Sequence, residues 1–436
     1  MSSADSLHSD TYFFTPQQEK WLLFILSAIQ FTHILDFVIM MPLGPQLIRV
    51  FGINPQQFSL LVSAYTVSAG VSGFAGSFFI DRFDRRLALL WLYIGFSLGT
   101  LACALAPDYI FFLAARIFAG LFGGVLSALV FAIIGDAIPE ARRGAATGKV
   151  MASFSLASVL GVPFGLYLTT IFSWHAPFLL LAAASFVVLP LAFKVLPSMQ
   201  KHLVRQVKDS NPFINLQAIF STPNLRWALS LIMMLSIAGF TVIPFISPYM
   251  VKNVGLLEKD LPYIYLFGGA LTYFTSPYIG KLSDEYGKSR VFTWTAILSI
   301  FPVLLITHLP ITPLWLVLCI TTIFFIVHGG RFVPAMALVT SSVSPKIRGS
   351  FMSINSSLQS LAAGIASFGA GLIVAEAPDK SLLHFGWVGI VSAVASLLCV
   401  VLCLKVKSAT DKMVSVTSVV HTDIFIKEVE NTITGK

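Results

Sequence analysis

The chain consists almost throughout of apolar segments that are each about as long as a bilayer is thick. A helix needs about 20 apolar residues to cross the ~30 Å hydrocarbon core of a membrane. Segments of that kind are numbered here as spans 1 to 12 and lie at 21–48, 58–80, 87–106, 109–137, 146–172, 176–195, 225–250, 261–280, 290–308, 313–342, 350–375 and 384–405. Charged residues make up only 11% of the chain, against about 25% in a typical soluble domain. The pattern predicts an all-α integral membrane protein with twelve transmembrane helices.

Short sequence features of the first half return in the second half at a nearly constant distance. Gly123-Gly124 recurs as Gly329-Gly330 (329 − 123 = 206), and Asp81 recurs as Asp284 (284 − 81 = 203). Two related halves around a central site are typical of membrane transporters. The predicted organisation is an N-terminal tail at 1–20, a six-helix half at 21–195, a linker at 196–224, a second six-helix half at 225–405 and a tail at 406–436.

Lysine and arginine are concentrated in the loops on one side of the spans. That side holds pairs such as Arg142-Arg143, whereas the loops on the other side hold only Arg49, Lys252, Lys259 and Lys380. Since positive loops stay in the cytoplasm, we expect both termini to be cytoplasmic and the protein to lie in the cell (inner) membrane. The same loops account for the net charge of +8, so we expect no nucleic-acid partner.

The sequence offers no sign of a cofactor, a metal site or an enzyme. The cysteines, Cys103, Cys319, Cys399 and Cys403, all lie within spans, and Cys399 and Cys403, which share a helix face, have no companion His or carboxylate. They indicate neither a metal site nor a disulfide. No phosphate-binding loop of ATP-driven proteins is present. The expected partners are a small-molecule substrate, protons and the lipid bilayer, and a monomer is expected.

Two related loops carry the most specific sequence signal. The loop after span 2 contains Ser77, Asp84 and the charged residues Asp81, Arg82, Arg85 and Arg86. The loop after span 8 contains Gly280, Asp284, Glu285, Gly287, Lys288 and Arg290. Both resemble the signature loop G-x-x-x-D-R/K-x-G-R/K-x-R/K of the major facilitator superfamily. The first copy departs at both Gly positions, and the second has Glu285 where a basic residue is usual.

The resemblance covers about residues 20 to 405 and implies the twelve-helix fold of that superfamily. An Asp at a helix end followed by a turn and basic residues is able to lock helix ends together on the cytoplasmic side. We therefore interpret the two loops as gates. The alternative is that these are solvated loop charges that obey only the positive-inside rule.

Span 1 carries a polar stripe on an otherwise apolar helix. Gln30, His33 and Asp36 are spaced by three residues and so lie near one helical face. Burial favours the neutral form of a carboxyl group, whereas an opposing cation favours the charged form. Asp36 is therefore a candidate proton carrier, as the resemblance to drug and sugar antiporters also implies. The alternative is an Asp36 that only pairs with another helix, with His33 orienting it.

Two arginines lie inside predicted spans and are candidates for contacts with the substrate or for proton coupling. Arg116 lies in span 4, where R-x-x-x-G with Gly120 is similar to the superfamily's pattern, and Arg331 follows His328 in span 10. An arginine in hydrocarbon is costly unless it faces a cavity or a partner. Arg116 has the alternative of reaching the outer interface with its long side chain. For Arg331 we expect a cavity or a neighbouring helix, with Asp36 as the candidate partner.

Span 5 contains a motif of small residues around a proline. Gly161, Pro163 and Gly165 resemble, in altered form, the antiporter motif G-x-x-x-G-P-x-x-G-G of superfamily exporters and its sugar-efflux variant. Small residues allow close helix approach, so a packing motif is the alternative. The resemblance implies proton-coupled export of a small amphipathic molecule, such as a drug or a sugar. A proton-coupled importer and, from another class, a membrane sensor remain alternatives.

Overall fold

A computed structural model describes residues 15–197, 199, 212–344 and 347–407. Its first half contains span 1 (Pro16–Val38 and Gly44–Phe51), span 2 (Pro55–Phe79), span 3 (Arg85–Ala104), span 4 (Tyr109–Ala137), span 5 (Glu140–Leu156, a π-helical turn Ala157–Gly161, and Val162–Ile171) and span 6 (His175–Val195). The linker contributes a helix at Pro212–Ser221. Most of the two predicted tails lies outside the described residues.

The second half repeats the first. It contains span 7 (Pro223–Phe240 and Ile243–Lys252), span 8 (Leu261–Tyr286), span 9 (Lys288–Thr307), span 10 (Leu314–Gly330 and Phe332–Ser341), span 11 (Arg348–Ile373) and span 12 (Phe385–Lys405). A hairpin of two short antiparallel strands, β1 (Ala375–Glu376) and β2 (Leu382–Leu383), joins spans 11 and 12. The predicted all-α fold is confirmed.

Helix length and hydropathy support a multi-pass membrane protein. Within the described chain, eleven helices are long and apolar enough to cross a membrane. Of the twelve predicted spans, span 8 is the one that does not meet this criterion, although it forms a continuous helix of 26 residues. It is less apolar because tyrosine, threonine and glycine occupy much of its length. Large side chains on the outside of the bundle, such as Trp91 and Phe301, are exposed, as expected for groups that contact lipid.

Capping residues decide where several helices begin. Span 1 starts at Pro16, before the predicted start at residue 21, because Thr15 and Gln18 form a reciprocal capping box. Asn54 and Gln57 form the same arrangement at the start of span 2. A side chain that caps the first backbone N–H groups stabilises a helix end whether or not the first turn is apolar. Hydropathy alone therefore places these helix starts too late.

The two ends of the bundle differ in how the halves meet. We call the end that carries the linker and the loops at 80–84 and 287 the linker end, and the opposite end the distal end. One buried core combines both halves and includes Leu43, Phe58, Phe245 and Phe385. Two further cores near the linker end are built around Ile133 in the first half and the second-half spans 7, 9 and 11. The core that both halves share therefore lies toward the distal end.

Contacts between the halves run along spans 2 and 11 and along spans 5 and 8. At the distal end of the first pair, a Cβ on Gly371 would overlap the side chain of Ser59. Nearer the linker end, a Cβ on Gly73 would lie 3.1 Å from Oγ of Ser357. Glycines thus let the backbones approach closely. At the distal end itself, Arg49 forms an ion pair with Glu258 of the other half.

Candidate functional site

A buried ion pair joins spans 1 and 4 in the first half. Nη1 of Arg116 lies 2.8 Å from Oδ2 of Asp36, and both side chains are 0% exposed. Thr100 of span 3 donates a hydrogen bond to Oδ1 of Asp36 at 3.2 Å. Asp36 lies at the last turn of Pro16–Val38, just before the break in span 1. The alternative that Arg116 reaches the outer interface is wrong, because its guanidinium is fully enclosed by its own half.

The guanidinium of Arg116 also meets an aromatic ring and keeps unused donors. It lies 4.2 Å from the centroid of the Tyr65 ring, a cation–π contact. Its Nε and Nη2 are buried and have no hydrogen-bond partner among the described residues, and the same holds for the hydroxyl of Tyr65. Buried polar groups are usually satisfied, so this cluster has capacity for water or a polar ligand.

His33 and Gln30 extend the polar cluster one and two turns toward the linker end. Neither ring nitrogen of His33 has a partner among the described residues. The ring instead packs against Phe96, with centroids 5.6 Å apart. Gln30 donates to Ser127 of span 4 at 3.1 Å, and its Oε1 is unpartnered within the described chain. The alternative in which His33 orients Asp36 is wrong in this structure, since no hydrogen bond joins them.

Arg331 has partners in its own half and does not meet Asp36. Its Nη1 donates to Ser299 of span 9 at 3.1 Å and to Ser396 of span 12 at 2.8 Å. Its Nη2 lies 3.0 Å from Nδ1 and 3.4 Å from Nε2 of His328, one turn earlier in span 10. The expected Asp36–Arg331 pair is therefore wrong, because span 4 supplies the cation that Asp36 meets.

An aromatic layer closes the centre between the halves. The ring of Phe37 stacks on Tyr65 at 5.6 Å and meets Phe240 of span 7 at 5.7 Å. On the linker side of this layer, a narrow slot between the halves is lined by small residues and hydroxyl groups: Ala69, Gly73, Gly124, Ala128, Ser353, Ser356, Ser357 and Ser360. Sequence reasoning did not identify this layer, since Phe37, Tyr65 and Phe240 look like ordinary core residues of apolar helices.

Comparison with known proteins identifies the family. The sequence matches the Major Facilitator Superfamily over residues 26–366 and 230–420. The chain belongs to this superfamily. It is 24% identical over 376 residues to the uncharacterized MFS-type transporter YceJ of Bacillus subtilis (strain 168). The aligned region covers 84% of this chain and 90% of that protein. Members of this family are transporters and not enzymes.

Two further similarities concern one part of the sequence and the fold. The chain is 24% identical over 226 residues to a probable sugar efflux transporter of Pasteurella multocida (strain Pm70), covering 52% of this chain and 54% of that protein. A crystal structure of a D-xylose-proton symporter superposes with a TM-score of 0.70 at 16% identity, covering 88% of this chain and 97% of the symporter. The latter similarity establishes the fold alone.

The first major facilitator signature loop ties helix ends of its own half. Asp84 caps span 3 by accepting a hydrogen bond from the backbone N–H of Arg86 at 2.8 Å, and with φ −55° it has no need of glycine. Arg85 pairs with Asp136 at the end of span 4 at 2.9 Å. Arg86 donates to the carbonyl of Phe193 in span 6 at 2.6 Å. Arg82 ends the short 3-10 turn that precedes this cap, and the side chain of Asp81 lies outside the described residues.

The second signature loop has a different backbone. Gly287 adopts φ +94° between spans 8 and 9, a conformation that favours glycine, which explains why glycine stands here and aspartate in the first copy. Asp284 and Arg290 are exposed, and Lys288 is the first residue of the span 9 helix. A Cβ on Gly280 would come no closer than 3.8 Å to Val333, so packing does not require glycine there. The gating role of both loops stays a prediction.

The span 5 motif lies between span 1 and the other half. A Cβ on Gly161 would lie 2.7 Å from Leu35, the neighbour of Asp36, and one on Gly165 would lie 2.8 Å from Ile39. Pro163 follows the π-helical turn, where its missing N–H suits an interrupted helix. On the opposite side, span 8 packs against the same turn, and a Cβ on Gly269 would lie 3.1 Å from the carbonyl of Ser158.

Proposed function

We propose that this protein exports a small amphipathic molecule in exchange for protons by alternating access. The observation that supports it most is the fully buried Asp36–Arg116 ion pair. A carboxylate in this position is stabilised by its cation, and a proton that neutralises it removes that interaction. Loss of one charge leaves the other buried and unpaired, which costs several kcal/mol. Proton binding at Asp36 is thus coupled to a rearrangement of Arg116.

The packing around Asp36 supports transmission of that rearrangement to the interface between the halves. Leu35 and Ile39, on either side of the charged residue, pack on the glycines of the span 5 motif. That segment in turn packs on span 8 of the second half. A shift of span 1 at its break therefore reaches a surface on which the two halves move relative to each other.

The proposal includes an orientation of the protein in the membrane. The distribution of lysine and arginine places the linker end, with both termini, in the cytoplasm of a bacterial cell. The distal end then faces outward and is closed by the common core and by Arg49–Glu258. The slot beside Gly124 has a volume of about 10 Å³, room for about one water, so it has to widen before a cytoplasmic substrate reaches the central cluster by this route. Export is favoured over import by the resemblance of Gly161, Pro163 and Gly165 to the exporter motif.

The test uses inside-out membrane vesicles whose lumen is acidified by respiration and monitored with a pH-sensitive dye. Addition of a substrate from a panel of drugs and sugars is expected to release protons from the lumen. Asp36→Asn is expected to abolish this release, whereas the exposed control Asp379→Asn is expected to retain it. Proton release at the wild-type rate in Asp36→Asn contradicts the coupling role. In vesicles preloaded with the same substrate, exit of the substrate together with protons identifies an importer instead.

A further inference from the structure

The interior of the bundle carries an unbalanced positive charge. Among the described residues, the charged side chains that are at most 1% exposed are Asp36, Arg116 and Arg331. Asp36 and Arg116 neutralise each other at 2.8 Å. Arg331 is left with a formal charge of +1, and no carboxylate of the described residues forms an ion pair with it. A buried charge is tolerated when it is paired, so this arrangement lacks an anion.

The surroundings of Arg331 are polar but neutral. Its Nη1 donates to the hydroxyls of Ser299 and Ser396. Its Nε is buried and has no partner among the described residues. Hydroxyl groups hold the guanidinium in place, yet they supply no counter-charge. In a low-dielectric interior the field of such a cation extends beyond its own hydrogen bonds.

His328 lies between Arg331 and the interface between the halves. A guanidinium has only donors, so the imidazole that it approaches through Nη2 is neutral and retains one N–H donor. One face of the ring stacks on Phe324 with centroids 4.9 Å apart. Its Nε2 edge lies against Gly239, where a Cβ would be only 2.8 Å away. The next residue, Phe240, belongs to the aromatic layer between the halves.

We propose that the transported molecule carries an anionic group, such as a carboxylate, which binds beside His328 and balances the charge of Arg331. The apolar part of the same molecule packs on the half-buried rings of Phe240 and Phe37, so the substrate class is an amphipathic organic acid. The proposal rests on the proposed function only in taking the centre between the halves as the substrate site. It leaves the proton-carrying role to Asp36 in the first half.

The experiment measures equilibrium binding, without a proton gradient, to purified protein in nanodiscs of phosphatidylcholine alone. This lipid excludes anionic headgroups as a second source of the negative charge. The probes are 4-phenylbutyrate, indole-3-acetate and benzoate, each paired with its primary amide, together with the cation ethidium. The readout is the shift in unfolding temperature with increasing probe. At least one acid is expected to stabilise the wild type while its amide and ethidium do not.

Variants of Arg331 and His328 then test whether these two residues cause the preference for acids over amides. Arg331→Met is expected to weaken binding of that acid about tenfold or more, as for loss of a charge-assisted interaction, and Arg331→Lys is expected to keep the preference for acids. His328→Gln, which keeps a side-chain donor, is expected to bind the acid better than His328→Leu. The exposed control Lys259→Met removes the same charge from a distal loop and is expected to change nothing.

The outcomes separate this inference from proton coupling. Amides or ethidium that stabilise the protein as much as the acids, or a panel in which no acid does so, overturn the inference. Equal acid binding by Arg331→Met and wild type also overturns it and leaves Arg331 as a tie between spans 9, 10 and 12. An Asp36→Asn variant that binds the acid but exports it without proton release contradicts nothing here and bears on the proposed function alone.

Discussion

His328 packs its ring against Gly239, and a Cβ on that glycine would lie 2.8 Å from Nε2. Gly239 stands 206 residues after His33 (239 − 33 = 206), the offset that also relates Gly123 to Gly329. In the first half, His33 lies on span 1 and meets Gly123 of span 4, where a Cβ would be 3.0 Å from its Nε2. Each half thus places one imidazole against one glycine. In the first half the histidine lies on the first helix and the glycine on the fourth, whereas in the second half the histidine lies on the fourth helix and the glycine on the first.

Gly239→Ala tests this packing. The added methyl group overlaps a ring that Phe324 and Arg331 hold from other sides, so we expect a loss of about 1–3 kcal/mol in stability, as for overpacking of a core, and reduced transport. Gly148→Ala is the control, because no atom lies within 4 Å of the added Cβ. Thermal unfolding in nanodiscs and vesicle transport measure the two effects. Equal behaviour of both variants contradicts the close contact.

The Asp36–Arg116 pair predicts strong energetic coupling. Asp36→Leu and Arg116→Leu are each expected to destabilise the protein by about 3–5 kcal/mol, because each leaves a buried charge unpaired. The double variant is expected to lose much less than the sum. A double-mutant cycle from reversible unfolding in detergent measures the difference. The surface pair Glu19–Arg142, in which Arg142 is exposed and Glu19 half-buried, is the control and is expected to show about 0–1 kcal/mol. Additive losses at Asp36 and Arg116 rule out a direct pair.

Arg49 and Glu258 predict a latch at the distal end. Arg49→Glu is expected to open that end more often and so to increase about threefold to fivefold the labelling rate of a cysteine at Ser59, in keeping with a surface ion pair of up to ~1 kcal/mol. Ser59 is 0% exposed between spans 2 and 11. The four native cysteines are first removed, and an impermeant maleimide reports the rate. Combining Arg49→Glu with Glu258→Arg is expected to restore slow labelling; fast labelling in that double variant argues against the latch.

The signature loops predict a gate at the linker end. If Asp284 helps to close that end, Asp284→Asn increases the labelling of a cysteine placed at Ser353, which lines the slot. Glu285→Gln is the matched control, because it removes a neighbouring exposed carboxylate. Asp81→Asn is expected to act in the same way in the first half. Unchanged labelling in both aspartate variants leaves the loops as topology signals.

Sequence periodicity and composition were sufficient for the class of fold. Apolar segments of membrane length leave the backbone no alternative to helices in a bilayer, and the repeated loops indicated the family. Polar residues within such segments, Asp36, Arg116, His328 and Arg331, stood out because each is costly in hydrocarbon. Helix starts at Pro16 and Pro55 were less predictable, since they depend on capping bonds.

The sequence by itself determined which buried groups carry charge, whereas only the tertiary structure decided which of them meet. From the sequence, Arg331 and not Arg116 was the candidate partner of Asp36, because residue spacing says nothing about the depth and rotation of helices far apart in the chain. Packing of spans 1, 3 and 4 brought Arg116 to Asp36. Packing of spans 9, 10 and 12 surrounded Arg331 with hydroxyls. Arg331 beside His328 is left without a counter-charge because contacts between helices, and not the local sequence, determine which charged groups meet.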